Sequence, residues 1–534
     1  MVGLRGQRRR KSAKSEPETT CREGIGRASK TSFDGQGKVN TNGSRAVLRH
    51  KEVLHRKSNS FMILQRFQMS HFQEIRDPVH GFIGLTEEES AIVNCRILQR
   101  LRGVRQLAMA YMVYPGALHT RFDHSLGVTH VAGLLVDKLL DPSARRLIRL
   151  ASLLHDVGHG PFSHVSEQIL EEFSHGVEAP IREKIHERLT ANIIEHDAEL
   201  ADHIGYNTCL KVIQMLQGGG VESVERGIVS GPLDADKQDY LLRDSYFCGV
   251  KYGVFDLARL IDSLCLYDTG TERILAAKRA GVPAIEQFVM AKYYMAAQVY
   301  RHKLRLITDS MIVRALQLGI KKDNLPWLCE LYSYDGTAKF IENFLQWDDA
   351  RLLTALLHPI GTAGLATDIF NRLQQRRLFK RVFSRNLRDF AEPLFRASFP
   401  NASNQTRTVI ESEIAEYLSS QAGSRIDPDY VIVHHYGLKS VRQQSRNDEG
   451  SIIILDSDGP RKFEDASTLF RSIDESQNDQ FVEIYAPYPF RSKVEQRKLG
   501  QKFQEDIASL LEKPFHSQLI LPSLTIKNDG PIHA

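Results

Sequence analysis

The chain has 534 residues, 25% of them charged and 42% hydrophobic, with 70 Lys+Arg against 65 Asp+Glu. That balance excludes a collagen-like or wholly disordered chain and supplies a large core, in roughly two to four domains. The formal charge of +5 is unevenly held: residues 1–70 carry 16 Lys+Arg and 5 Asp+Glu, whereas the other 464 carry 54 and 60. The positive charge therefore belongs to the head, and the mildly acidic body argues against a nucleic-acid partner.

Residues 1–60 are rich in Arg, Lys, Ser, Gly and Thr and too poor in apolar residues to fold alone. The favoured reading is a disordered tail or an upstream extension, with Met69 as an alternative start. A nucleic-acid-binding arm and a transit peptide are the other readings; Glu16, Glu18 and Glu23 oppose the second. No secretory signal and no run of ~18–20 apolar residues is present. The six cysteines are scattered without a C-x-x-C pair, as expected of a reducing, cytoplasmic location without disulfides or a thiolate zinc site.

From about 90 to 395 the text reads as successive helices. Residues 126–140, 145–154, 257–266 and 304–317 carry apolar positions at helical spacing. The Gly triplet 218–220 reads as a loop unconnected with phosphate binding. After about 405, short β-branched runs appear at Tyr430–Val433, Ser451–Leu455 and Gln480–Tyr485, followed by a helix at 493–512. The expected organisation is a basic extension (1–68), a mainly α body (69–400) and a smaller C-terminal α/β lobe (401–534).

Four segments of the helical body hold metal-type ligands: Arg121–His124, His155-Asp156, Pro161–His164 and Asp236–Asp244. In the last, Asp236, Asp239, Tyr240, Arg243 and Asp244 share one helical face where a packed helix would be apolar. Taken alone, this face reads as solvated, with an Asp239–Arg243 ion pair. His155-Asp156, at the end of an apolar helix, is costly to bury unless a cation offsets it. His124, His155, Asp156 and Asp236 together make a two-imidazole, two-carboxylate set suited to a divalent Mn, Mg, Fe, Ni or Zn ion.

These residues resemble the motif of the HD-domain phosphohydrolases. The likeness extends through Asp77–Gly81, Leu98–Arg102, Gln106-Leu107, Tyr114–Ala117, Arg121–Gly127 and His155–His164. That ordered set is similar to one branch, the deoxynucleoside triphosphate (dNTP) triphosphohydrolases, including bacterial dGTPase-like proteins and the sterile-alpha-motif HD enzyme. The resemblance covers about residues 72–390.

The resemblance implies a helical HD core and metal ligation by His124, His155, Asp156 and Asp236. It implies release of the triphosphate whole, with His164 as catalytic histidine, His186 as a second and His159 near the α-phosphate. Arg121, Lys237 and Lys292 fall where the family binds phosphates, with Lys292 replacing an Arg. Gln106, Leu107, Tyr240, Asp244 and Tyr300 fall where it holds sugar and base, Tyr240 crowding a 2′-hydroxyl. Relatives form tetramers around bound nucleotides; Arg102, Arg376 and Lys380 resemble the cations involved. Asn94 stands where the sterile-alpha-motif HD enzyme has its guanine-selecting aspartate. A dNTP substrate, an activating nucleotide and a homo-oligomer, tetramer or dimer, are thus the expected partners.

The alternatives are another HD hydrolase, a nuclease and an inactive scaffold. A cyclic-dinucleotide phosphodiesterase would want Lys where His159 stands. A guanosine tetraphosphate hydrolase would want acids after Asp156. The basic tail favours a nuclease and the acidic body opposes it. The complete ligand set opposes an inactive scaffold.

Overall fold

The computed structural model describes residues 72–174, 184–217, 223–359, 361–447, 450–472 and 479–516. The basic head, with Met69, and the triplet 218–220 lie outside the described residues. The architecture is mainly helical, with small sheets toward the C-terminal side. No helix among the described residues is long and apolar enough to cross a membrane.

A hairpin of β1 (Gln73–Asp77) and β2 (Gly81–Leu85) opens the described chain. Gly81 turns it at φ +83, a conformation that costs a side-chain-bearing residue more. Helix α1 (Arg121–Leu139) starts at a reciprocal cap, in which Thr120 accepts from the Asp123 amide and Asp123 accepts from the Thr120 amide. It packs against α2 (Pro142–Leu154), which begins on a proline whose missing N–H costs nothing there. Then follow α3 (His164–Phe173), α4 (Ile185–His196) and α5 (Ala235–Cys248). The Asp234 side chain caps α5, and Gly249 at φ +68 ends it.

The helix expected over 257–266 is shorter. Helix α6 (Leu257–Ser263) stops, and β3 (Leu264–Asp268) pairs with β4 (Arg273–Lys278). Gly270 at φ +89 allows the tight return, so ladder hydrogen bonds override local helical spacing. Helix α7 (Val282–Met295) runs through a five-residue π turn, Ala296–Tyr300, to α8 (Lys303–Lys321).

Beyond α8, β5 (Lys380–Asn386), α9 (Asn404–Ala422) and β6 (Ile432–Leu438) precede β7 (Ile453–Asp456) and β8 (Gly459–Lys462). Strand β9 (Asp479–Ala486) and helix α10 (Lys493–His516) end the described chain. β9 pairs antiparallel with both β5 and β6. A second sheet runs β8-β7-β4-β3, its β4–β7 pair parallel. The run at 480–485 lies within β9. The other two runs shift: Tyr430 belongs to a 3₁₀ turn, and Ile452 spends its carbonyl on the Phe463 amide outside the ladder.

The large core spans the helical body and includes Ile432, Ile454 and Tyr485 from the C-terminal strands. A second core, with Phe383, Phe395, Ile414 and Phe503, sits between the β5-β9-β6 sheet and helices α9 and α10.

Candidate active site

Helices α1 and α5 meet at Gly127, where a Cβ would lie 1.9 Å from Asp239 Oδ1 and 2.3 Å from Arg243 Nη2. Only glycine permits that approach. The charged face of α5 is consequently not solvated: Asp239 and Arg243 are 0% exposed. The intrahelical pair forms, with Arg243 donating through Nε and Nη2 to Asp239 at 2.9 Å each. Its setting differs from the expectation because α1 and the β1–β2 hairpin supply partners. Arg243 Nη1 donates to Asp77 at 2.7 Å, and Asp239 is met by His80 Nε2 at 2.6 Å and His124 Nδ1 at 2.7 Å. Burial alone would raise the Asp239 carboxyl; Arg243 and the two histidines hold it well below the usual range.

This network orients His124. Asp239 can only accept, so His124 Nδ1 carries a proton and Nε2 is the nitrogen turned toward the carboxylates. Nε2 donates to Asp236 Oδ1 at 2.9 Å and lies 3.8 Å from Asp156 Oδ2. His155 repeats the arrangement: Nδ1 donates to the Ser152 carbonyl at 2.7 Å, and Nε2 is buried without a hydrogen-bond partner among the described residues. His155 Nε2 is 3.4 Å from Asp156 and 3.9 Å from Asp236.

Two imidazole Nε2 atoms and two carboxylates thus converge, an arrangement that needs positive charge among them, whether a proton or a metal ion. Burial lowers His124, but its bonds to Asp236 and Asp239 overcome this and push it up to about 10. Asp156 and Asp236 are held low by their cationic neighbours against burial. The donor set fits a borderline divalent metal, and His124, His155 and Asp156 bring ligand atoms within 4.8 Å of one another.

Beside it lies a histidine trio. Glu167 Oε1 is 2.7 Å from His186 Nδ1, 2.9 Å from His164 Nδ1 and 3.2 Å from His159 Nε2. Burial would raise Glu167; the three imidazoles keep it far below its ordinary value. Burial and neighbouring His159 bring His186 down to about 4. Desolvation within the site and the Arg121 charge also lower His164. His164 follows a turn in which Phe162 (φ 63) and Ser163 (φ 52) both adopt left-handed backbone. Asp349 accepts from the Phe162 amide at 2.8 Å, and Ser163 bridges Arg121 and the Arg105 carbonyl. Gly158 admits α4: a Cβ there would lie 2.3 Å from the His186 carbonyl oxygen.

Arg121 donates to Asp156 at 2.7 Å, Lys237 to Asp234, and Lys292 to the Gln444 carbonyl at 3.0 Å. Tyr300 donates to Asp244 Oδ2 at 2.6 Å, while His119 holds Oδ1 at 2.7 Å. The Tyr240 ring lies 6.3 Å from that of Tyr300. Every candidate catalytic and substrate residue, Gln106 and Leu107 included, lines one cavity of about 2340 Å³. Of the four metal candidates only His124, 1% exposed, stands behind its wall. Asn94, Arg102, Arg376 and Lys380 are exposed and outside this cavity.

Two supporting residues escaped the sequence reading. Glu167 stands three residues after His164, a helical spacing that signals a pair. His80 lay in a recognised motif, but its partner is 159 residues away.

The HD domain family matches residues 121–243 and the HD-associated region matches 255–505. The chain is 31% identical over 342 residues to the uncharacterized protein YwfO of Bacillus subtilis, covering 59% of this chain and 73% of that protein. It is 29% identical over 340 residues to the deoxynucleoside triphosphate triphosphohydrolase SAMHD1 of Gallus gallus, covering 57% of this chain and 55% of that one. A crystal structure of a phosphohydrolase from Bacteroides thetaiotaomicron superposes with a TM-score of 0.60 at 27% identity, over 78% of this chain and 99% of that one. With both halves of its described body matched, the chain belongs to the HD-domain phosphohydrolase family, in the branch that joins an HD domain to an HD-associated region and includes dNTP triphosphohydrolases.

Proposed function

We propose that this chain hydrolyses deoxynucleoside triphosphates to deoxynucleoside and tripolyphosphate. The observation that carries the reading is one cavity shared by the candidate metal ligands His155, Asp156 and Asp236, the histidine trio and the Tyr240–Asp244–Tyr300 wall. The activity named for the vertebrate relative supports the substrate class.

A divalent cation held by His124, His155, Asp156 and Asp236 would supply Lewis acidity and neutralise phosphate charge. Arg121, Lys237 and Lys292 offset charge that builds on the phosphates as water attacks the α-phosphorus. His164 Nδ1 donates a hydrogen bond to Glu167, so in its protonated form His164 presents the second proton, on Nε2, to the departing 5′-oxygen. Asp244 and Tyr300 hold the deoxyribose, and Tyr240 leaves no room for a 2′-hydroxyl. Asn94, Arg102, Arg376 and Lys380 are proposed to meet an activating nucleotide between subunits of a homo-oligomer. Sedimentation with and without dNTP tests that part.

The decisive assay incubates the protein with Mn or Mg and each dNTP, singly and in pairs. Tripolyphosphate and deoxynucleoside are the expected products; monophosphate with pyrophosphate, or no turnover of any mixture, would sink the reading. Asp236→Ala should remove bound metal and turnover together. His164→Gln should keep the metal and lose about 10²–10⁴ in rate; a normal rate would exclude His164 as the proton donor.

A further inference from the structure

Helix α8 turns one stripe into the cavity: Arg305, Asp309, Val313, Gln317 and Lys321 recur every four residues and all line it. The N-terminal end of that stripe is chemically unfinished. Arg305 Nε and Nη1 and Asp309 Oδ1 are buried without hydrogen-bond partners among the described residues. Unpaired buried donors and acceptors are costly, and native proteins keep few of them.

The residue order explains the vacancy of these bonds. Helical side chains lean toward the helix N-terminus. Arg305 inclines toward Tyr300, whose ring centre is 5.4 Å from its guanidinium. The carboxylate stays 3.4 Å from Nε, close in charge but outside hydrogen-bond geometry. Arg301 closes the same end over the Tyr436 ring. Burial raises the Asp309 carboxyl to about 6, although Arg305 and Arg301 both pull the other way. The π turn at Ala296–Tyr300 delivers Tyr300 and Arg301 to this point, and such turns recur at functional sites.

This inference rests on the nucleotide reading proposed above. With phosphates beside His155-Asp156 and the sugar at Asp244–Tyr300, the base is the part that reaches Arg305. It must offer acceptors to a guanidinium and donors to a carboxylate from adjoining edges. Guanine offers two of each: O6 and N7 accept, and N1–H and N2–H₂ donate. Adenine sets its N6 amino group against the arginine, and the pyrimidines supply fewer donors. We propose that Arg305 and Asp309 form a base-reading subsite that selects guanine.

The test is kcat/KM for the four dNTPs with wild type, Arg305→Met, Asp309→Ala and Asp309→Asn. Wild type should favour dGTP. Arg305→Met and Asp309→Ala should each lower the dGTP-to-dATP ratio by about 5–150-fold. Asp309→Asn, which keeps one acceptor, should fall between. Equal losses on all four bases, or a wild type without guanine preference, overturns the subsite. Equilibrium binding of deoxyguanosine and deoxyadenosine to the same proteins separates this from the hydrolysis reading. A deoxyguanosine preference that Arg305→Met abolishes upholds the subsite even if no triphosphate is hydrolysed; equal binding of the two nucleosides overturns it.

Discussion

Helices α5 and α8 carry the same pair of residue types four apart, in opposite order. In α5 the acid comes first: Arg243 leans back onto Asp239 and closes two hydrogen bonds. In α8 the arginine comes first, and Arg305 and Asp309 sit 3.4 Å apart without one. The α5 pair is completed by Asp77, His80 and His124 and carries the orientation of a candidate metal ligand. The α8 pair faces a cavity. Order, together with the partners that α1 and the hairpin bring to α5, separates a framework whose polar groups are spent from a surface whose polar groups remain for a ligand.

The largest contrast should appear in stability. Arg243→Met leaves Asp239 and Asp77 buried without their cation and should cost about 3–5 kcal/mol. Arg305→Met removes no protein hydrogen bond at Nε or Nη1 and should cost less than half as much. Urea unfolding midpoints measure both. Equal losses would mean that the α8 pair is as much framework as the α5 pair.

Next in size is an effect on metal. Asp239→Asn keeps shape but weakens the acceptor that fixes the proton on His124 Nδ1. Affinity for Mn or Zn, measured by competition with a chromophoric chelator, should fall about 10–100-fold. An unchanged affinity would show that His124 needs no such support.

Much of this was legible in the sequence. The spacing of Asp236, Asp239, Tyr240, Arg243 and Asp244 put one charged face on a helix, and the pairing of Asp239 with Arg243 followed. Its burial did not, because a charged stripe reads as solvated until its distant partners are known. Asp77 and His80 lie more than 150 residues from α5. The glycine that makes room, Gly127, looks like any helical glycine in one dimension. For the same reason the periodicity at 257–266 overran the start of β3: a strand is decided by the partner that pairs with it. The Arg305–Asp309 pair lay inside a helix whose apolar spacing was read correctly, and its reversed order carried a message that spacing alone ignores.

The smallest and most diagnostic prediction concerns sign. Asp239 is depressed in the folded chain. Its stabilisation is therefore present above the unfolded carboxyl value of about 3.9 and is lost as pH falls toward the folded one. Asp309 is raised to about 6. Between about pH 4 and 6 the folded chain holds a proton there that the unfolded chain has released, so stability falls as pH rises through that window. Asp309→Asn removes this penalty and should stabilise the protein at pH 7 by on the order of 1 kcal/mol, with little effect near pH 4. Asp239→Asn should destabilise it at pH 7. Urea midpoints at both pH values compare the two substitutions directly. If both destabilise at pH 7, Asp309 is already answered by Arg305, and the end of α8 has no bond left to offer a base.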